Sequence, residues 1–139
     1  MIIKSYELKK NIQNLYKHNL YLMYGENAGL KYDIRDFIKK VIKQKNDKIE
    51  ILSLTEDEII NNEENFYDFI YSGSLFSDVK ILTISQATDK IIKNINDIYD
   101  KKPENIFIFI FSNILEKKSK LRNFFEINEK TICIACYLD

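Results

Sequence analysis

Two kinds of hydrophobic pattern alternate along this chain. Short apolar runs rich in β-branched and aromatic residues occur at Leu20–Tyr24, 49–54, Val79–Ser85, Ile106–Phe111 and Thr131–Ala135, and each predicts a strand. Between them, apolar residues recur at spacings of three and four. Ile34, Phe37, Ile38, Val41 and Ile42 form one such set, and Phe66, Phe69 and Ile70 a second. Ile91 or Ile92 with Ile95 and Ile98, and then Leu121, Phe124 and Phe125, complete the series. Each set is one face of a helix. A further helix is predicted ahead of the first strand, over residues 7–17.

The boundaries carry their own signals. Gly25 stops the first strand. Thr55 followed by Glu58 is a capping box that starts a helical turn, and Asn61-Asn62 interrupts it. The helix bearing Phe66 ends near Gly73, and the one bearing Ile95 ends near Tyr99, ahead of Pro103. Ser119 caps the last helix. Strands separated by helices imply βαβ units and a five-stranded parallel sheet covered on both faces, an α/β fold. No linker, repeat or low-complexity tract interrupts the alternation, so residues 1–139 read as one domain.

Composition narrows the options. Tyr and Phe number nine each and hydrophobic residues make up 45% of the chain, which excludes a disordered segment. The 21 basic residues balance 21 acidic ones, so nonspecific attraction to nucleic acid is not expected and any DNA role is indirect or local. The run Ile106–Phe111 is far shorter than the roughly 18 apolar residues of a membrane span. Residues 1–4 lack the features of a signal peptide. A cytoplasmic protein without a membrane partner is the expectation.

The loop after the first strand stands where a phosphate-binding loop lies in P-loop proteins. It reads Gly25-Glu26-Asn27-Ala28-Gly29-Leu30-Lys31-Tyr32. Against G-x-x-x-x-G-K-[ST] it has one residue too few between its glycines, Leu30 ahead of Lys31, and Tyr32 where a hydroxyl would bind magnesium. Glu26 would repel a phosphate. The third strand ends in Ser85-Gln86-Ala87, with no carboxylate until Asp89 to hold a metal. Asn113 follows the fourth strand at the place of a sensor residue in such ATPases. The expected loop is a tight strand-to-helix turn at Gly25 and Gly29, with no catalytic residues, no bound metal and no cofactor. A nucleotide-binding P-loop ATPase domain is the competing reading.

Other candidates have plain explanations. Cys133 and Cys136 have C-x-x-C spacing but lie on or just after a strand, not at a helix start that would activate a thiol, so buried or half-buried free thiols are expected. With the distant His18 they fall short of the roughly four ligands of a structural zinc site. Glu56, Asp57, Glu58, Glu63 and Glu64 sit at helix starts, where negative charge offsets the dipole. Lys117, Lys118, Lys120 and Arg122 form the basic cluster, either a solvated helix start or a phosphate-contacting patch. The last candidate is the turn Ser74-Leu75-Phe76. Two large apolar residues in a turn either fold into the core or stand out as a docking wedge.

Three pieces in order resemble the delta subunit of bacterial DNA polymerase III, over essentially the whole chain. They are the strand running into Tyr24-Gly25-Glu26, the Ser74-Leu75-Phe76 turn ahead of a strand, and Lys118-Ser119-Lys120-Leu121-Arg122-Asn123-Phe124-Phe125 before Ala135-Cys136-Tyr137. The resemblance implies a three-layer RecA-like core of the AAA+ (P-loop NTPase) kind with a degenerate phosphate loop. It implies a non-catalytic clamp-loader subunit, part of a DNA-directed DNA polymerase holoenzyme, that opens the sliding clamp (the beta subunit) for loading onto DNA in replication. Ser74, Leu75 and Phe76 are then the clamp-binding residues, and Lys118, Lys120 and Arg122 are candidates for contact with DNA or a neighbouring subunit. The other partners implied are the gamma/tau and delta prime subunits. Family members continue into lid and collar domains, so the chain is expected to be one domain of a longer protein. Where some members carry Met before the Ser, this chain has Gly73.

Overall fold

The computed structural model describes residues 1–11, 18–73 and 77–138. Five strands, β1 (Leu20–Tyr24), β2 (Ile49–Thr55), β3 (Val79–Ser85), β4 (Ile106–Phe111) and β5 (Thr131–Ala135), form one sheet in the order β2-β3-β4-β1-β5. Every pairing is parallel. The helices are α1 (Ala28–Lys45), α2 (Glu56–Asn61), α3 (Glu63–Tyr71), α4 (Ile92–Lys101) and α5 (Lys120–Ile127), with 3₁₀ helices at Ser5–Asn11 and Asp89–Ile91.

Alternation along the strands sends side chains to two separate cores. Leu22, Leu82, Ile84 and Ile108 pack with Ile59 of α2, Phe66 and Ile70 of α3, Ile95 and Ile98 of α4, and Leu121 and Phe125 of α5. On the opposite face, Tyr21, Met23, Ile81, Phe109 and Ile132 pack with Ile34, Ile38 and Ile42 of α1 and with Leu8. The sheet thus lies between two helical layers, as in Rossmann-like α/β folds. The division follows from handedness. The β1-to-β2 connection crosses the sheet in one direction and the other three connections cross in the opposite one, so right-handed crossovers put α1 alone among the α-helices on its face. The connections diverge between β1 and β4, and ligand crevices in open α/β sheets lie at such a point, beyond the carboxyl ends of the strands.

The predicted strands and their parallel pairing are all present. Thr55 and Glu58 form the predicted capping box, each side chain bonded to the other's backbone. Asn62 ends α2 and caps α3 through its side chain. The helix predicted to end near Tyr99 runs on to Lys101, because Lys102 can close it in the left-handed conformation, φ 48°. The predicted leading helix differs. Its described part, residues 7–11, falls in a 3₁₀ helix, Ser5–Asn11, in which Leu8 is the one aliphatic residue and is buried. A single anchor supplies no stripe to hold an α-helical register. Residues 12–17 of that prediction lie outside the described residues. No helix among the described residues is long and apolar enough to cross a membrane.

Candidate functional site

The crevice between the loops leaving β1 and β4 has a volume of about 290 Å³, and its lining includes Lys31, Tyr32, Gln86, Ser112 and Asn113. Gly25 opens the β1 loop with φ 117°, and a Cβ there would stand 2.2 Å from the carbonyl oxygen of Cys136. Only glycine accepts both conditions. Gly29 lies inside the first turn of α1, where a Cβ would meet nothing closer than Asn27 Oδ1 at 3.7 Å. The tight turn therefore depends on Gly25 rather than on both glycines.

Several backbone donors of this loop have intramolecular acceptors. Gly25 N donates to the Asn113 carbonyl and Asn27 N to the Cys136 carbonyl, each at 3.0 Å, and Ala28 N donates to the Glu26 carbonyl at 3.0 Å. Asn27 caps α1, its Oδ1 accepting from Leu30 N at 3.1 Å. Its carbonyl accepts from Lys31 N at 3.1 Å. A phosphate cradle needs such N–H groups turned toward the anion, and here the amides of Gly25 and Asn27 tie the loop to the ends of the neighbouring strands.

Both charged side chains of the loop are engaged as well. Lys31 is 7% exposed and donates from Nζ to the Ser112 carbonyl at 2.9 Å. Burial pushes its pKa down, with partial relief from Cys136 and Glu26. The Glu26 carboxylate accepts from Leu138 N at 3.0 Å. That bond and one from its own backbone N–H hold its pKa below the usual range, Lys31 adding to them against the opposing effect of burial. Tyr137, the residue before Leu138, sets its ring edge-on to Tyr24 at 5.9 Å between centroids.

The basic cluster divides. Ser119 caps α5 as predicted, its Oγ accepting from Arg122 N at 3.2 Å, and it donates to Asp89 Oδ1 at 2.7 Å. Asp89 also accepts from Leu121 N at 3.0 Å and Lys120 N at 3.1 Å. Burial would raise its pKa, but these bonds and the charge of Lys120 outweigh it and hold the carboxyl below its ordinary value. Lys118 is exposed and paired with Glu116 at 3.4 Å, and Lys120 is exposed. Arg122 turns inward. Its guanidinium lies 5.0 Å from the Tyr24 ring centroid, donates to the Leu115 carbonyl at 2.9 Å and pairs with Glu126 at 3.3 Å.

Ser74, Leu75 and Phe76 lie outside the described residues. Their flanks are described. The chain leaves α3 through exposed Tyr71, Ser72 and Gly73 and enters β3 past exposed Asp78, at the end of the sheet opposite the crevice. Space is open around Gly73, where a Cβ would meet nothing within 4 Å.

The remaining candidates have structural surroundings. Cys133 and Cys136 are free and buried, as predicted. Burial pushes their pKa values up to about 12 and about 11, which keeps them as protonated thiols at neutral pH. Glu56 accepts from the backbone and hydroxyl of Thr88 at 2.8 and 3.0 Å, tying α2 to the loop after β3. His18 precedes β1 at the far end of the sheet, its carbonyl accepting from Tyr21 Oη at 2.8 Å. Sequence reasoning missed Lys31 as a buried strut and Asp89 as a cap. It also missed Lys80, whose signal was a charge within the apolar run of β3. No family model and no curated protein matches the chain.

Proposed function

We propose that this domain is the amino-terminal, clamp-binding domain of a clamp-loader delta subunit, with a RecA-like, AAA+-type core whose phosphate loop has degenerated. The observation that carries the reading is where the described neighbours of residues 74–76 lie. Tyr71, Ser72, Gly73 and Asp78 are exposed and Ser77 is half-buried, and they lie at the opposite end of the sheet from the crevice. A Leu-Phe pair presented there is free to dock on a partner without involving a nucleotide site. The loop after β1 supports the second half of the proposal, since the amides of Gly25, Asn27 and Ala28 and the Lys31 ammonium already have acceptors within the chain.

The mechanism is a wedge. Burying Leu75 and Phe76 in a pocket on the sliding clamp contributes roughly 1.5–3 kcal/mol for each side chain, the scale of an interface hot spot. The wedge opens the ring only to the extent that it binds the open edge more tightly than the closed one. In this reading the domain itself does no chemistry and takes no cofactor. ATP acts in the gamma/tau subunits of the loader, delta prime is a further neighbour, and DNA is met only indirectly. Exposed Lys118 and Lys120 are offered to a neighbouring subunit or to DNA, with Arg122 holding the helix start beneath them. The setting is the bacterial cytoplasm.

Titration against a purified bacterial sliding clamp tests the proposal. Leu75→Ala with Phe76→Ala should weaken binding at least about tenfold, about 1.4 kcal/mol, and leave the thermal midpoint nearly unchanged. A large loss of stability with unaltered clamp binding refutes it. Calorimetry with Mg-ATP addresses the competing reading, and a saturable heat would favour an ATPase domain.

A further inference from the structure

A groove of about 320 Å³ runs between the loops that leave β3 and β4, and its lining includes Lys90, Ile114, Leu115 and Lys118. Its walls are pinned. Ala87 N donates to the Phe111 carbonyl at 3.0 Å. Asp89 accepts from Ser119 Oγ at 2.7 Å, Leu121 N at 3.0 Å and Lys120 N at 3.1 Å, so the two loops are joined directly. Thr88 N donates to Glu56 Oε1 at 2.8 Å. On the other wall the Leu115 carbonyl accepts from Arg122 Nη1 at 2.9 Å, and the Leu115 side chain packs against the core. Its neighbour is left outside. Ile114 is 65% exposed, a large aliphatic side chain held in water by a loop with little freedom to withdraw it.

The rim is basic. Residues 88–90 and 114–120 hold four lysines, Lys90, Lys117, Lys118 and Lys120, all exposed, against two carboxylates. Both carboxylates are already engaged, Asp89 with the start of α5 and Glu116 with Lys118 at 3.4 Å. The chain as a whole has no net charge, so this excess is local. A polyanion such as nucleic acid would use the lysines and gain nothing from the isoleucine beside them. A protein segment with carboxylates on either side of an apolar residue would use both.

We propose that this groove docks an acidic segment of a partner protein that carries an apolar anchor. The anchor packs against Ile114 and Leu115, and the carboxylates beside it pair with Lys90, Lys118 and the lysines next to them. Exposed ion pairs contribute little alone, so the apolar contact sets the affinity, while the charges select the partner and guide its approach. Because the walls are fixed before the segment arrives, little order has to be gained on binding. Lys118 and Lys120 are thereby given to a protein rather than to DNA. The groove lies at the carboxyl end of the sheet, away from the flanks of residues 74–76, so it serves this segment whether or not that turn meets a clamp.

The probe is a fluorescein-labelled peptide, Asp-Glu-Asp-Leu-Glu-Asp-Glu, titrated by fluorescence anisotropy beside its Leu-to-Ala counterpart and an oligothymidylate of equal charge. The parent should bind the Leu peptide saturably and the Ala peptide at least about fivefold more weakly. Ile114→Ser should reproduce that loss with the Leu peptide. Lys90→Glu with Lys118→Glu should lose at least about tenfold. Lys40→Glu with Lys43→Glu makes the same charge change at exposed positions of α1 toward the other end of the sheet, and should stay within about threefold of the parent. Circular dichroism checks that each variant is folded, and Lys90→Gln with Lys118→Gln is read if the charge reversal is not. Absence of saturable peptide binding, equal affinity for the Leu and Ala peptides, equal losses in the two charge reversals, or tighter binding of the oligothymidylate than of the Leu peptide each overturns the proposal. The double variant Leu75→Ala, Phe76→Ala should bind the Leu peptide as the parent does. Loss of the peptide in that variant moves the site away from the groove and also overturns the proposal, whereas its effect on clamp binding bears only on the turn.

Discussion

Lys31 donates to the carbonyl of Ser112 at 2.9 Å, across the crevice between the β1 and β4 loops. In a phosphate-binding loop the lysine would face an anion. Here the ammonium stitches the first turn of α1 to the end of β4. Lys31→Met should therefore lower stability by about 0.5–1.5 kcal/mol, the net worth of a typical hydrogen bond, as measured by urea unfolding. Mg-ATP should give no calorimetric heat with either form. A variant as stable as the parent would show that the Ser112 contact contributes nothing.

Gly25 combines φ 117° with a Cβ position 2.2 Å from the Cys136 carbonyl oxygen. Gly25→Ala must both strain the backbone and displace the strand end beside it, so a loss on the order of 3 kcal/mol is expected. Gly29→Ala, in the first turn of α1, should be neutral or slightly stabilising, because alanine is the better helix former. Thermal melts of the pair check the contrast, and equal effects would contradict it.

Asp89 gathers the Ser119 hydroxyl and the amides of Lys120 and Leu121 at the start of α5. Asp89→Ala should cost about 1 kcal/mol at neutral pH, the usual scale of a lost cap. The carboxyl lies below its ordinary value of 3.8 in the folded chain. Its contribution is therefore complete above 3.8 and is lost as pH falls through the folded value. The parent and Asp89→Asn should converge in stability under acid. A difference that persists unchanged at pH 2 would assign the effect to something other than charge.

The sheet's elements were legible because their signals are local. Strand alternation, helix spacing, the Thr55–Glu58 box and the stop at Gly25 each lie within a few residues of one another. The devices at the crevice are not local. Asp89 caps a helix that begins at Lys120, and Glu26 holds the amide of Leu138. Each partner is chosen by the order of strands in the sheet, which no short window of sequence carries. Lys31 was visible as a residue out of register with a phosphate motif, but its acceptor on Ser112 was not.

Cys133 and Cys136 supply a prediction at alkaline pH. Their thiols ionise near 9.0 when unfolded and are pushed up to about 12 and about 11 by burial. Above pH 9 the unfolded chain releases these protons first, so stability should fall as pH rises from about 9 toward the folded values. Cys133→Ala with Cys136→Ala should flatten that decline. In the native state both thiols should react with a thiol-specific reagent far more slowly than in urea. Rapid native labelling at pH 8 would contradict the burial.

Leu20 pairs with Ile108 on one side and with Thr131 on the other. The first strand of the sheet in chain order is thus flanked by the two last, while β2 and β3 sit at the opposite margin. Sheet closure must wait until the last two strands are made, and long-range parallel pairing of this kind is intrinsically slow. During synthesis the apolar stretch at Leu20–Tyr24 has no permanent neighbour, which makes it the segment a chaperone would shield and a premature stop before Thr131 would leave open to aggregation.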